Sequence, residues 1–411
     1  MFRFATALFL TALISPDAAF ASEAAAPSGE ATQIADDLVK CETLEFGNCP
    51  GLSTALASRD GVAKALAAMF KGATPQAAGR IALALSLLDA RTEVDALDAA
   101  AASLPEDPST VDVRAAQARL GDARAAPALL AALGGKDQRG QILAAGALGL
   151  LRHRAAVQPL LRLLTTGTPR AQAAAAQALG MLGSAEAEPA LLALAAAPKT
   201  LALVRAPALD ALALLHAKAA VGLATMLVDA TPPEVARAAL RVLAAVPTPW
   251  ADTATLSGLD TPGARSEAAR ALVALNMTAA GVRVLEMAVS DDIEPEERMA
   301  LHAALAALKP SGAAPALMKR LVKLPLASEP DEAMRILRLL PELGDQTIVA
   351  DLVPLLRLDS KLLVNYVVFA LEHLTGMHYG SDEKPWREYA GLDKPQGTDQ
   401  KYHPGKHAKP E

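Results

Sequence analysis

Leucines recur along this chain in pairs three residues apart, each pair preceded by a small or apolar residue. The pairs are Leu148/Leu151, Leu179/Leu182, Leu212/Leu215, Leu240/Leu243, Leu272/Leu275, Leu305/Leu308, Leu337/Leu340 and Leu371/Leu374. Their first members are spaced 31, 33, 28, 32, 33, 32 and 34 residues apart. Between them apolar residues follow the i, i+3, i+4 spacing of helices, and no sustained alternation argues for strands. A period in the low thirties suits two short helices and two turns. The punctuation agrees. Leu120-Gly-Asp-Ala-Arg-Ala-Ala-Pro127-Ala-Leu-Leu is echoed 62 residues later by Leu182-Gly-Ser-Ala-Glu-Ala-Glu-Pro189-Ala-Leu-Leu. Gly121 and Gly183 are expected just past helix ends, where a left-handed conformation is needed. Pro127, Pro159, Pro189 and Pro315 are expected where the next helix begins, a position that tolerates a missing N–H.

No single helix pair of this kind can bury its own apolar face, so a run of pairs must share one core. The pattern predicts an all-α fold, a right-handed α-solenoid (superhelix) of about nine or ten helix pairs over residues 78–391. One continuous array is expected rather than separate domains. Composition supports this. Of the 411 residues 52% are hydrophobic but only 3% aromatic, because roughly a quarter are alanine, well above ordinary usage. Alanine joins high helix propensity to little bulk, as closely stacked helices require.

These residues resemble HEAT repeats, in particular the short bacterial type related to phycobilisome-lyase repeats. Asp112-Val113-Arg114-Ala-Ala-Gln-Ala-Arg-Leu120-Gly-Asp-Ala-Arg-Ala-Ala-Pro-Ala-Leu-Leu carries the likeness best, and Ala175 to Leu192 and Ala268 to Leu285 carry it less completely. The resemblance speaks for architecture only. Arg114, Arg205 and Arg237 sit where such repeats often have a positive residue, and they are expected to bond to neighbouring repeats. A second resemblance lies in Ala370-Leu-Glu-His-Leu-Thr375-Gly376-Met-His-Tyr-Gly380-Ser-Asp382-Glu-Lys-Pro-Trp386-Arg-Glu-Tyr389. It is similar to the closing segment of many exported bacterial HEAT arrays, in which a Leu-Thr-Gly turn precedes an acidic residue and a Trp-x-x-aromatic helix. Here Tyr389 stands where a Trp is usual. Thr375, Gly376, Asp382, Trp386 and Tyr389 are therefore expected to form a C-terminal cap. The alternative is a binding pocket around Trp386.

The N-terminus reads as a targeting signal. Arg3 precedes an apolar run from Phe4 to Ile14, and Ala19-Phe20-Ala21 places cleavage before Ser22, giving a signal peptide over residues 1–21. The run falls short of the roughly 20 apolar residues that span a bilayer. The mature protein is expected to be exported, periplasmic or alternatively secreted, with no stable membrane insertion. In an oxidising compartment Cys41 and Cys49, the chain's 2 cysteines, are expected to pair. Their loop would staple an N-terminal helical cap over residues 22–77. The Lys-, Pro- and Gly-rich end, residues 392–411, is expected to be a flexible tail.

A net charge of −6 and a pI near 5.7 give no electrostatic basis for nucleic acid binding. Catalytic and nucleotide-binding motifs are missing: there is no His-Glu-x-x-His, Gly-x-Ser-x-Gly or Walker loop. Deoxyhypusine hydroxylase, a HEAT-repeat enzyme, uses His-Glu pairs, but here Glu372-His373 has the reverse order. Three clusters are candidates for chemistry. His403 and His407 form a pair in the tail, without preorganised geometry. Asp291, Asp292, Glu294, Glu296 and Glu297 crowd the start of a helix near Pro295, where its dipole favours them. His373 and His378 flank the Thr375-Gly376 turn. No catalytic, cofactor-binding or metal-ligating residue is assigned, no cofactor is expected, and the chain is read as not an enzyme. The expected function is an exported HEAT-repeat scaffold holding a protein partner on its curved surface. The alternatives are a metal- or cofactor-handling accessory protein using His373 and His378, or a self-associating structural component of the envelope.

Overall fold

Every one of the eight repeating first leucines lies near the C-terminal end of a helix with at most 1% of its surface exposed. The computed structural model describes residues 29–41, 49, 51–104, 108–326 and 329–392. The expected signal peptide, residues 42–48 and the tail beyond Leu392 lie outside them. Among the described residues there are helices and turns but no strand. The helices bearing the leucine pattern, here called motif helices, are Pro75–Leu87, Pro108–Arg119, Gln138–Leu150, Pro169–Leu182, Ala202–Leu214, Pro233–Ala245, Arg265–Ala274, Pro295–Leu308, Pro330–Leu343 and Lys361–Thr375. Each is followed by a shorter partner helix, from Val94–Ser103 to Glu383–Tyr389. The fold is thus all-α, of the solenoid class, with ten described helix pairs where nine or ten were expected.

Local chemistry sets the boundaries. Thr74, Asp137 and Ser360 cap motif helices by accepting N–H groups of the first turn, and Pro75, Pro169, Pro233, Pro295 and Pro330 open them. Pro127, Pro159, Pro189 and Pro315 fall in the first turns of partner helices Ala126–Gly134, Val157–Thr166, Glu188–Ala196 and Ala313–Lys323, as expected. Past the motif helices the chain turns through the left-handed region, at Gly121 (φ +90°) and Gly183 (φ +67°) as expected. The same turn is made by residues with side chains: Asp89, Arg152, His216, Asn276 and Lys309 have φ between +44° and +53°. Each costs on the order of 1 kcal/mol, so the register of the repeat, not local preference, imposes it. The short 28-residue spacing falls where the partner helix, Val221–Thr225, shrinks to five residues.

Packing divides the chain into two compact units, residues 1–128 and 129–411, the division falling within Ala126–Gly134. In the first, Gly29–Lys40 packs on Gly51–Ala57, Arg59–Ala68 and Pro75–Leu87, and the last of these packs on Pro108–Arg119. Its core includes Leu38, Leu52, Val62, Leu66, Ile81, Leu85, Leu97 and Val113. A Cys41–Cys49 disulfide, with Cα atoms 5.6 Å apart, ties the end of Gly29–Lys40 to the start of Gly51–Ala57. The leucine register continues into this unit as Leu85-x-x-Leu88 and Gln117-x-x-Leu120. In the second unit each motif helix packs on the next, from Gln138–Leu150 to Lys361–Thr375, and each partner helix packs on the motif helix that follows it.

Close approach within this row is enforced at Gly149 and Gly180. A methyl group on Gly180 would lie 2.8 Å from the Ala211 Cα, and one on Gly149 would lie 2.9 Å from the Ala178 Cα. Backbone cannot move aside cheaply, so Gly180→Ala is expected to lower stability by about 1–3 kcal/mol despite its better helix propensity. Gly146→Ala, three residues from Gly149 but with nothing within 4 Å of the new methyl, is expected to raise it by about 0.5–1 kcal/mol. Urea unfolding of the two variants checks the contrast.

Candidate functional site

At the C-terminal end, Lys361–Thr375 stops at Gly376, whose φ is +75°. Thr375 Oγ1 donates to the Leu371 carbonyl at 2.7 Å and accepts the Met377 N–H at 3.1 Å. Asp382 caps Glu383–Tyr389 by accepting the Lys384 N–H at 3.1 Å. Trp386 on that helix is fully buried, and its indole N–H donates to the Gly380 carbonyl at 2.9 Å. The rings of Tyr379 and Tyr389 meet the indole edge-on, with centroids 4.9 and 6.4 Å away. Arg357 Nε donates to Glu383 at 2.6 Å, holding the helix against the preceding turn Val353–Arg357. Thr375 and Gly376 thus end one helix, while Asp382, Trp386 and Tyr389 belong to the next.

The two histidines beside the turn take separate partners. His373 Nδ1 donates to the Phe369 carbonyl at 2.8 Å, and its ring lies 3.9 Å from the Phe369 ring. A carbonyl only accepts, so Nδ1 carries the proton. His378 is exposed, with Nδ1 3.5 Å from Glu372. Among the described residues no group of three or more His, Cys, Asp or Glu side chains is placed to hold a metal ion. His403 and His407 lie outside the described residues.

The arginines of the repeat reach across to neighbouring elements. Arg205 Nε donates to the Ala195 carbonyl at 2.7 Å, at the end of Glu188–Ala196. Arg237 reaches the Gly263 carbonyl at 3.3 Å. Arg114 pairs with Asp98 and donates to the Gln117 amide oxygen at 2.8 Å. Gln117, which takes the place of a repeating leucine, is wholly buried, and its amide donates to Asp98 at 3.2 Å and Asp122 at 2.8 Å. Hydrogen bonds from Arg114 and then Gln117 hold the Asp98 carboxyl below the usual carboxylate range. A further pattern escaped the sequence reading. Gln141, Arg205, Arg265 and Arg298 each stand seven residues before a repeating leucine, and each donates to carbonyls that precede its helix. Helix ends leave such carbonyls without intrahelical partners.

The acidic run Asp291 to Glu297 has a richer setting than the helix dipole alone provides. Pro295–Leu308 does begin there, with Glu296 and Glu297 in its first turn. Yet Glu297 is buried, accepting from Gly263 N–H at 2.7 Å and pairing with Arg265 at 2.9 Å. Asp291 pairs with Arg320 at 2.8 Å. Arg320 is buried and also forks onto Glu332, with Nε and Nη2 at 2.5 and 3.2 Å from its two oxygens. Buried Arg298 sits 3.6 Å from the same carboxylate and donates to the carbonyls of Ala288, Ser290 and Ile293. A cavity of about 860 Å³ adjoins this cluster. Its described lining includes Lys319, Lys323 and Arg335 together with Asp292, Glu294 and Asp331. These charges offer ion pairing. One turn beyond Arg298, His302 is buried and neither ring nitrogen has a hydrogen-bond partner among the described residues. Burial pushes its pKa down to about 4, with Glu332 opposing and Arg298, Arg335 and Arg320 reinforcing the shift.

Two outcomes follow from this cluster. Glu332→Gln preserves volume but leaves Arg298 and Arg320 without their shared anion, and is expected to cost about 3–5 kcal/mol in urea unfolding. Asp291→Asn, at a 97% exposed carboxylate, is expected to cost less than about 1 kcal/mol. For His302 the folded state resists protonation, so the unfolded state takes up the proton first as pH falls. Its contribution is complete above about pH 6.5 and is lost as pH falls from there to about 4, removing on the order of 3 kcal/mol. Urea midpoints measured across that range are expected to flatten in His302→Leu.

Residues 126–213 match the family model for HEAT repeats. Among curated proteins no sequence matches significantly. Among solved structures the chain is similar to YibA of Escherichia coli, at 20% identity over 60% of this chain and 92% of that one, with a TM-score of 0.44. It is similar to the complex of CpcE and CpcF of phycocyanin lyase from Nostoc sp. PCC7120, at 23% identity over 61% and 94% of the two chains and a TM-score of 0.35. It is also similar to Kap121p, at 14% identity over 88% of this chain and 46% of that one, with a TM-score of 0.45.

Proposed function

We propose that this chain is an exported, non-enzymatic HEAT-type scaffold, periplasmic in its simplest form, that binds a protein partner through the layer of motif helices. One observation carries the reading. In the unit 129–411, Leu150, Leu203, Leu214, Met299, Leu362 and Phe369 are large apolar side chains left exposed on motif helices, while Val282 and Val322 on partner helices, and Met226 at the end of one, are exposed too. Twice as many of these exposed groups lie on motif helices as on or at the end of partner helices, and exposed apolar area of this kind is what an interaction surface offers. The Cys41–Cys49 disulfide supports an oxidising compartment. No helix among the described residues is long and apolar enough to cross a membrane, which accords with release after cleavage of residues 1–21. In the same reading, Thr375, Gly376, Asp382, Trp386 and Tyr389 close the array over residues 78–391, and residues 22–77 cap its start.

Two measurements test this. Intact mass of the protein isolated from cells is expected to show a chain beginning at Ser22 with both cysteines oxidised. A full-length, reduced chain in the cytoplasm would defeat export. Photo-crosslinkers placed at Leu214 and Phe369 are expected to trap a defined protein in the envelope fraction, whereas one at exposed Val322 of the partner layer traps none. Stoichiometric metal in the purified protein, lost on His373→Ala or His378→Ala, would overturn the scaffold reading.

A further inference from the structure

Three motif-helix positions form a unit of their own, the first and last exposed and the middle one, Met181, half-buried. Leu150, Met181 and Leu214 each stand two residues past a repeating leucine, on consecutive motif helices. Leu150 is 55% and Leu214 57% exposed. They are also continuous in space. The Met181 Cε lies 2.7 Å from where a Gly149 methyl would stand, so Met181 covers Gly149 beside Leu150. The Leu214 Cδ1 lies 3.2 Å from the corresponding point on Gly180, so Leu214 covers Gly180 beside Met181. The result is an apolar strip running across three helices, with glycine beneath its steps.

The edge of this strip has a charge of its own. The turns that follow the three helices carry Arg152 and Arg154 in the first, Glu186 in the second and Lys218 in the third. Arg152, Arg154 and Lys218 are exposed and form no ion pair among the described residues, while Glu186 already accepts from Gln158 at 3.0 Å. His153 and His216 lie in the same turns, the latter with Nδ1 2.9 Å from the Ala245 carbonyl. In a chain of net charge −6, this edge is locally cationic and its cations are uncommitted.

We infer that the strip Leu150–Met181–Leu214 docks an amphipathic helical segment of a partner protein, with apolar anchors on one face and carboxylates flanking them. Apolar side chains at i, i+4 and i+7 of such a segment can lie along the strip. Carboxylates at its margin meet Arg152, Arg154 and Lys218, which fix orientation and discriminate against basic segments. This inference rests on the reading of the chain as a partner-binding scaffold and assigns that activity a place and a partner chemistry.

The test is a displayed library of random 16-residue peptides selected on the full-length mature protein, then retitrated as synthetic peptides. Selected peptides are expected to combine apolar residues at helical spacing with flanking Asp or Glu. Their binding is expected to weaken about tenfold or more in the double variant Leu150→Glu, Leu214→Glu, and again at high salt. Because these side chains are exposed, the variant is expected to keep the wild-type circular dichroism and melting curve. A second variant, Arg154→Glu with Lys218→Glu, leaves the strip intact and is expected to lose acidic peptides while retaining neutral apolar ones. Peptides that bind both variants as tightly as wild type, or that are enriched in Lys and Arg, overturn the inference. So does a selection that enriches no peptide class. None of these results removes the scaffold reading, which fails separately if crosslinkers at Leu214 and Phe369 trap no envelope protein.

Discussion

The distance between consecutive motif helices is the constraint from which most of the second unit follows. Each repeating leucine is buried by the neighbouring helix rather than by its own pair, so the helices must come close enough to remove it from water. Burying a leucine contributes roughly 1.5–3 kcal/mol, and that is obtained only when small residues line the seam. Pro169–Leu182 shows the consequence. Ala171, Ala173, Ala174, Ala175, Ala176 and Ala178 are all buried, together with Leu179 and Gly180. A helix flanked by motif helices on both sides and a partner helix behind is buried nearly all round, so its alanines are structural material and not filler.

The same constraint decides how polar groups enter the interior. A side chain admitted to a leucine layer cannot find water, and its own helix has no spare donors or acceptors to offer. Its partners therefore come from other side chains or from a neighbouring element. Gln117 meets Asp98 and Asp122, Arg205 meets the last turn of the helix before it, and Glu332 meets Arg320 from the preceding pair. Such contacts lock register more selectively than leucine contacts do, since a shifted helix would leave a buried charge uncompensated. His302 is the exception, a buried imidazole that is uncharged near neutrality and takes no partner among the described residues.

What was legible in the sequence was what repeats. The leucine pairs, Gly121, Gly183 and the helix-opening prolines all announce themselves by residue type at a fixed interval, and the structure places them accordingly. Asp89, Arg152, His216, Asn276 and Lys309 share the left-handed turn of the glycines, but nothing in those residue types demands it. The acidic run was legible only locally. A helix start explains carboxylates near Pro295, while Arg320 lies 29 residues beyond Asp291 and is brought to it only by the stacking of pairs. At the C-terminal end, Asp382 caps the helix on which Trp386 is buried with Tyr389 edge-on to its indole. His373 and His378 take separate partners there, the Phe369 carbonyl one turn back on the same helix and the Glu372 carboxylate.

Leucine itself shows why the interaction surface was harder to read than the fold. Leu148 and Leu150 are the same residue type two positions apart, one with no exposed surface and the other 55% exposed. Two residues turn a helix through about 200°, enough to carry a side chain from the seam to the open side. In a chain built so largely from alanine and leucine, composition cannot separate the two, and only the register of the seam does. The apolar strip is also poor at choosing partners, since hydrophobic contact is not directional. Selectivity has to come from groups with sign and direction, and the turns beyond Leu150 and Leu214 supply them as Arg152, Arg154 and Lys218. Those turns lie where the repeat dictates, so the helix spacing that buries the leucines also positions the charges that edge the strip.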